Sequence, residues 1–229
     1  MKRAFRPAEL CAWYLRAMIK KLAIFAAGAL AIAGTAAVSM PPADQWIIGP
    51  LVKGKNYSVN MPFNPDSTRD GHVVFDFPRH GRGEVDAMTT GVYPLAGKKR
   101  IVVDYRIDAA PGTRFIPVER PELDALVSIY FQRAGDKWNA KGKYASYRWY
   151  QPVNTVHTIR PGRHRMVIEL DDRWTNVWGK PNTENRALYQ AALADTATLG
   201  IAFGSHSGRS HGVAATGDAT FTLLSVEIE

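Results

Sequence analysis

The chain has 229 residues, 46% of them hydrophobic and 22% charged, with one cysteine and a net charge of +8. Residues 1–39 hold six Lys/Arg and one Glu, which leaves 23 basic and 20 acidic side chains in residues 40–229, a net of +3. An excess that small gives no long-range attraction for nucleic acid. Cys11 is the one cysteine, so residues 40–229 have no disulfides, thiol nucleophiles or thiolate metal sites.

The chain opens on a targeting pattern. Met18-Ile19-Lys20-Lys21 precedes an uncharged apolar run from Leu22 to Val38, which ends in Ala37-Val38-Ser39. A basic n-region, an apolar h-region and a small-x-small cleavage signal are the three parts of a secretory leader, here a signal helix cut after Ser39 or, alternatively, after Ala37. The leader is complete from Met18, so Met18 competes with Met1 as the true start. Cleavage predicts a periplasmic or secreted protein. The alternative is an uncleaved membrane anchor over residues 22–38, although that run is rich in Ala and Gly and short for a bilayer of roughly 30 Å. Cys11 lies upstream of the run, which argues against lipid attachment there.

After a short linker at residues 40–45, apolar residues recur with a period of two. The segments 72–77, 100–108, 127–133, 147–150, 165–170, 199–203 and 219–228 are rich in β-branched and aromatic residues and read as strands, with weaker candidates at 46–49, 57–60 and 84–90. Pro111-Gly112, Gly135-Asp136, Pro161-Gly162 and Thr216-Gly217-Asp218 mark turns. Glu184–Asp195 reads as the one helix, capped by Asn182 or Thr183, with Ala187, Leu188, Ala191 and Ala192 on its apolar face. About ten short strands without βαβ alternation predict an all-β fold: a single antiparallel two-sheet β-sandwich, jelly-roll-like, over residues 40–229.

The densest informative stretch runs from Tyr130 to Trp149, where a strand leads into a loop carrying Trp138 and then into a strand with Tyr147, Arg148, Trp149 and Tyr150. A second aromatic-polar loop, residues 171–179, carries Asp171, Asp172, Arg173, Trp174, Asn176 and Trp178. Sugar rings present C–H faces that stack on aromatic planes, while Arg, Asp and Asn bind the hydroxyls. Trp138, Arg148, Trp149, Trp174 and Trp178 are therefore candidate ligand residues; any of the tryptophans can alternatively serve as core. Arg148 and Trp149 point to opposite sides of a strand, so at most one of them reaches a given site. A Gly- and Ser-rich loop at 204–213 adds His206 and His211 as candidate ligand contacts. Two histidines without a neighbouring carboxylate do not define a metal site. No cofactor is expected; Asp171 and Asp172 are the one place where Ca²⁺ is conceivable.

No nucleophile elbow, H-E-x-x-H or phosphate loop is present, and no catalytic residue is assigned. Asp171-Asp172 reads as the only close acidic set, and glycoside hydrolysis needs two opposed carboxylates. Tyr147, Arg148 and His164 are the residue types that a β-elimination lyase uses.

Trp138, Trp149, the Leu199–Gly212 stretch and the closing strand Phe221–Ile228 together resemble the non-catalytic β-sandwich modules of the carbohydrate-binding and galactose-binding-like kind. The resemblance spans most of residues 46–229 at the level of architecture and matches no family motif, so it transfers no functional residue. It implies an exported protein that binds glycan through loop aromatics. The alternatives are an extracytoplasmic polysaccharide lyase or hydrolase, and a structural envelope protein without a small ligand.

Overall fold

The computed structural model describes residues 40–229. The signal helix expected over 22–38 and Cys11 lie outside the described residues. The described chain is mostly β, in antiparallel sheets, with one α-helix. Its strands in order are β1 (Trp46–Gly49), β2 (Leu51–Val52), β3 (Lys55–Asn56), β4 (Asp66–Ser67), β5 (Val73–Asp76), β6 (Ala87–Gly91), β7 (Arg100–Ala109) and β8 (Phe115–Pro117). There follow β9 (Leu126–Arg133), β10 (Arg148–Tyr150), β11 (His157–Thr158), β12 (Gly162–Glu169) and β13 (Thr175–Asn176), then helix α1 (Arg186–Ala194), β14 (Thr196–Gly204), β15 (Val213–Ala215) and β16 (Ala219–Ile228).

The larger sheet runs β1-β6-β14-β9-β10-β13, with β11 also on β9; the smaller runs β12-β7-β16-β5-β4. Alternation along each strand produces the core between them. On β9, Val127, Ile129 and Phe131 enter the main apolar cluster, as do Ile101, Val103, Tyr105 and Ile107 on β7. The sheets meet where Phe203 of β14 packs edge-on against Phe75 of β5 (centroids 5.6 Å apart) and Phe221 of β16 (5.3 Å). Each such fully buried aromatic contributes on the order of 2–3 kcal/mol through removal from water.

The other face of the larger sheet carries a second, smaller cluster of Ala87, Tyr130, Tyr150 and Ala202, with Trp138 and Val177 packed on it. Thr89, Gly200 and Tyr130 lie in register across β6, β14 and β9. A Cβ at Gly200 would overlap the Tyr130 ring, so the glycine lets that ring lie across its neighbour strand while Tyr130 Oη meets Thr89 Oγ1 at 2.5 Å.

Two expectations are corrected. The helix is shorter than Glu184–Asp195, and its N-cap is Asn185, without a side-chain cap bond. Asn182 instead donates Nδ2–H to the Asp172 carbonyl at 2.7 Å. The buried face is Tyr189, Ala192 and Leu193, with Leu188 left exposed, because Tyr189 reaches Trp149 (4.9 Å) and donates its hydroxyl to the Leu170 carbonyl. A bulky partner in the sheet, rather than the run of alanines, set the phase of the helix.

Candidate functional site

Strand β10 separates its three residues by face. Trp149 enters the core and is fully buried, donating Nε1–H to the Ser146 carbonyl at 2.9 Å. Arg148 and Tyr150 stand on the opposite face beside Tyr130. Above them, the β9–β10 loop is organised by Asp136. Its Oδ2 accepts from Gln132 Nε2 (2.6 Å) and Arg148 Nε (3.0 Å), and its Oδ1 accepts the backbone N–H of Trp138 (3.2 Å). Trp138 and Ala140 adopt left-handed backbone (φ 58° and 50°), which side-chain-bearing residues rarely do. Strain of that kind persists only where surrounding contacts over-determine it. Here the contacts are the Asp136 bonds, the Arg148 guanidinium 3.7 Å from the Trp138 ring centroid, and the edge of Trp138 against Tyr130 at 5.6 Å.

Trp138, Arg148 and Tyr150 form one wall of a cleft of about 480 Å³. Three pairings bring distant segments to the other walls. Val59 bridges Glu84, which sets Tyr57 at the rim; Val85 bridges Val213; and Val118 N–H donates to the Gly212 carbonyl at 3.0 Å. Glu84, Asp86, Glu119, Ser210 and His211 thereby converge on the same cleft. Within it, Glu119 Oε2 lies 2.6 Å from His211 Nδ1, and Ser210 Oγ lies 3.3 Å from Tyr150 Oη. Gly212, at φ 80°, leaves the space that Glu84 occupies.

Asp86 is the most perturbed group there. It is almost wholly buried, and its Oδ1 has no hydrogen-bond partner. Burial, reinforced by the neighbouring Glu84 carboxylate, pushes its pKa up to about 8. Burial also raises Glu84, opposed by His211. Arg148, by contrast, is already committed: its guanidinium is buried, paired to Asp136 at 3.0 Å and covered by Trp138.

Of the seven residues proposed from sequence, three line this cleft: Trp138, Arg148 and His211. Trp149 and Trp174 do not belong with them, because both are fully buried in the inter-sheet core. Trp174 lies 5.1 Å from Phe131 and donates Nε1–H to the Glu169 carbonyl. Trp178 is exposed and donates to the Ala140 carbonyl, outside the cleft lining. His206 is exposed on the 204–212 loop, also outside it. Asp171-Asp172 is not the only close acidic set: Glu84, Asp86 and Glu119 converge. Asp172 Oδ1 accepts from its neighbour's N–H at 2.7 Å, Arg173 being the donor. No group of three or more His, Cys, Asp and Glu arranged to hold a metal occurs among the described residues.

Sequence reasoning missed Glu84, Asp86, Tyr57 and Glu119. The Glu84-Val85-Asp86 alternation was the available signal, since residues two apart on an extended segment can share a side. A larger cavity of about 560 Å³, lined by Met40, Trp46, Tyr93, Leu199 and Ile228 among others, has Lys98 as its only charged side chain. Its other polar side chains are Gln45, Thr90 and Tyr93, and Thr90 Oγ1 donates to the Gln45 carbonyl at 3.1 Å.

No family model and no curated protein sequence matches the chain. Among solved structures it is similar to a xylan-binding module, CBM15 (11% identity, TM-score 0.40, covering 82% of this chain and 95% of that one). A structure described under endo-acting O-glycanases of the human gut microbiota is similar at 12% identity and TM-score 0.39, covering 83% and 93%. Winged bean acidic lectin, complexed with methyl-α-D-galactose, is similar at 8% identity and TM-score 0.32, covering 80% and 98%. These neighbours include a carbohydrate-binding module and a lectin, and the likeness is one of architecture alone.

Proposed function

We propose that this is an exported, jelly-roll-like β-sandwich protein that binds a carbohydrate non-catalytically in the cleft beside Trp138. The observation that carries the reading is the Trp138 loop. A left-handed backbone is held by Asp136 and Arg148 so that an indole stands at the cleft wall with Tyr57 and Tyr150, in a cleft that Glu84 and Asp86 also line. Export rests on the leader within residues 1–39, from which the protein is either released or left anchored.

The test is binding of the full chain to a panel of neutral, amine-bearing and acidic oligosaccharides, with Tyr57→Ala as the probe. Tyr57 lines the cleft yet is 43% exposed, so its removal is expected to weaken binding at least tenfold with little change in melting temperature. Undiminished binding would place the ligand elsewhere, and no binding to any glycan would remove the reading.

A second reading, hydrolysis, draws on Glu84 and Asp86, two carboxyls in one cleft that burial raises. Release of new reducing ends during incubation with a bound glycan would favour it over simple binding. A lyase acting on uronates is disfavoured, since the cleft offers no uncommitted cation for the uronate carboxylate: Arg148 is paired to Asp136 and His211 to Glu119.

A further inference from the structure

We propose that the ligand of this cleft carries a protonated amine, as an amino sugar does, and that Asp86 together with Glu84 receives it. This rests on the carbohydrate-binding reading above and names the class of sugar.

The argument begins with the charges that face the cleft. From the segment entering β6 come Glu84 and Asp86; from the segment after β8 comes Glu119; from the β14–β15 loop comes His211; and from β10 comes Arg148. Arg148 is spent on Asp136, and His211 has Glu119 at 2.6 Å. Arg209, behind Tyr150, donates to the Gln151 carbonyl and is not part of the lining. What remains without a basic partner is a pair of carboxyls, Glu84 and Asp86.

Asp86 carries the weight. Its Oδ1 is buried without a partner, while its backbone N–H is satisfied by Ser58 Oγ at 2.9 Å. An unsatisfied buried carboxyl oxygen is unfavourable unless a ligand completes it. Its pKa near 8 means that, with the cleft empty, a proton stands where a second carboxylate repels the charge. An ammonium in the cleft offers the same relief and in addition donates hydrogen bonds to the carboxylate. The rings of Tyr57, Trp138 and Tyr150 around the same space suit an ammonium and the C–H bonds beside it. A uronate, by contrast, would bring a third carboxylate to the pair. Residues 40–229 have a net charge of +3, so a polycation is not drawn to this protein by its overall field; any preference for one must come from a local site.

Binding an ammonium ionises Asp86, and the displaced proton passes to the buffer. Titration calorimetry on the full chain at about pH 6, in buffers of differing ionisation heat, tests this with three probes: a fully deacetylated glucosamine oligomer, its N-acetylated counterpart and an oligogalacturonate. The glucosamine oligomer is expected to bind at least tenfold tighter than the acetylated one and to release close to one proton, while the galacturonate does not bind. Asp86→Asn is expected to abolish both the preference and the proton release, and Glu84→Gln to reduce the preference. If the acetylated or the acidic oligomer binds as tightly as the amine, or no proton is released, the amine proposal is overturned and carbohydrate binding stands. If none of the three binds, nor any neutral glycan, both fall.

Discussion

The guanidinium of Arg148 lies 3.7 Å from the centre of the Trp138 ring, so the loop tryptophan that forms the cleft wall is also the cover of a buried charge. On the proposed reading, ligand recognition and local stability therefore share one side chain. Trp138→Ala removes the cation–π contact and wets the Arg148–Asp136 pair, a loss of about 1–2 kcal/mol. Denaturant midpoints are expected to fall accordingly, with glycan affinity lost as well. Trp138→Phe is expected to restore most of the stability and only part of the affinity.

Gly200 and Tyr130 are coupled more tightly. Because a Cβ at residue 200 would overlap the Tyr130 ring, Gly200→Ala forces that ring off the sheet and away from Thr89. The expected loss is about 1–3 kcal/mol, the range for overpacking a filled site. The same substitution made on top of Tyr130→Ala is expected to be nearly neutral, and a double-mutant cycle by thermal denaturation measures the difference. An equal loss in both backgrounds would disprove the steric account.

Asp86 gives stability a pH dependence of definite sign. Its folded pKa of about 8 stands above the ordinary 3.8, so between those values the folded protein holds a proton that the unfolded chain has released. Stability contributed by the neutral carboxyl is therefore complete below about pH 4 and is lost as pH rises towards 8, by on the order of a few kcal/mol. Asp86→Asn is expected to flatten this slope and to be more stable than the parent at pH 9. Urea midpoints across pH 5–9 measure both.

The tryptophans divide by burial. Trp149→Ala and Trp174→Ala each empty a fully enclosed site and are expected to destabilise by about 3–5 kcal/mol. Trp178, 66% exposed, is expected to be worth within about 0.5 kcal/mol. Chemical denaturation followed by circular dichroism, which does not depend on the removed indole, separates the two classes.

Much of this was legible without coordinates. Period-two patterning located the long strands, including β7, β9, β14 and β16, and the same alternation put Arg148 and Trp149 on opposite faces. Short pairings such as β8 with β15 escaped it, since three residues carry too little periodicity. Which way each indole faced escaped it too: alternation says that neighbours differ, and only the packing of the second sheet says which face becomes core. Trp149 was taken inward and Trp138 left outside for that reason.

What the sequence by itself determined is local: extended segments, their turns, the aromatic-rich loop and the leader pattern, all fixed by spacing between near neighbours. The tertiary structure alone decided the cleft. Glu84, Glu119 and His211 lie far apart along the chain, and they meet because Val59 pairs with Glu84, Val85 with Val213, and Val118 with Gly212. Backbone hydrogen bonds between distant segments carry no signature in residue type, so the acidic wall they assemble becomes visible only when the strands are in register.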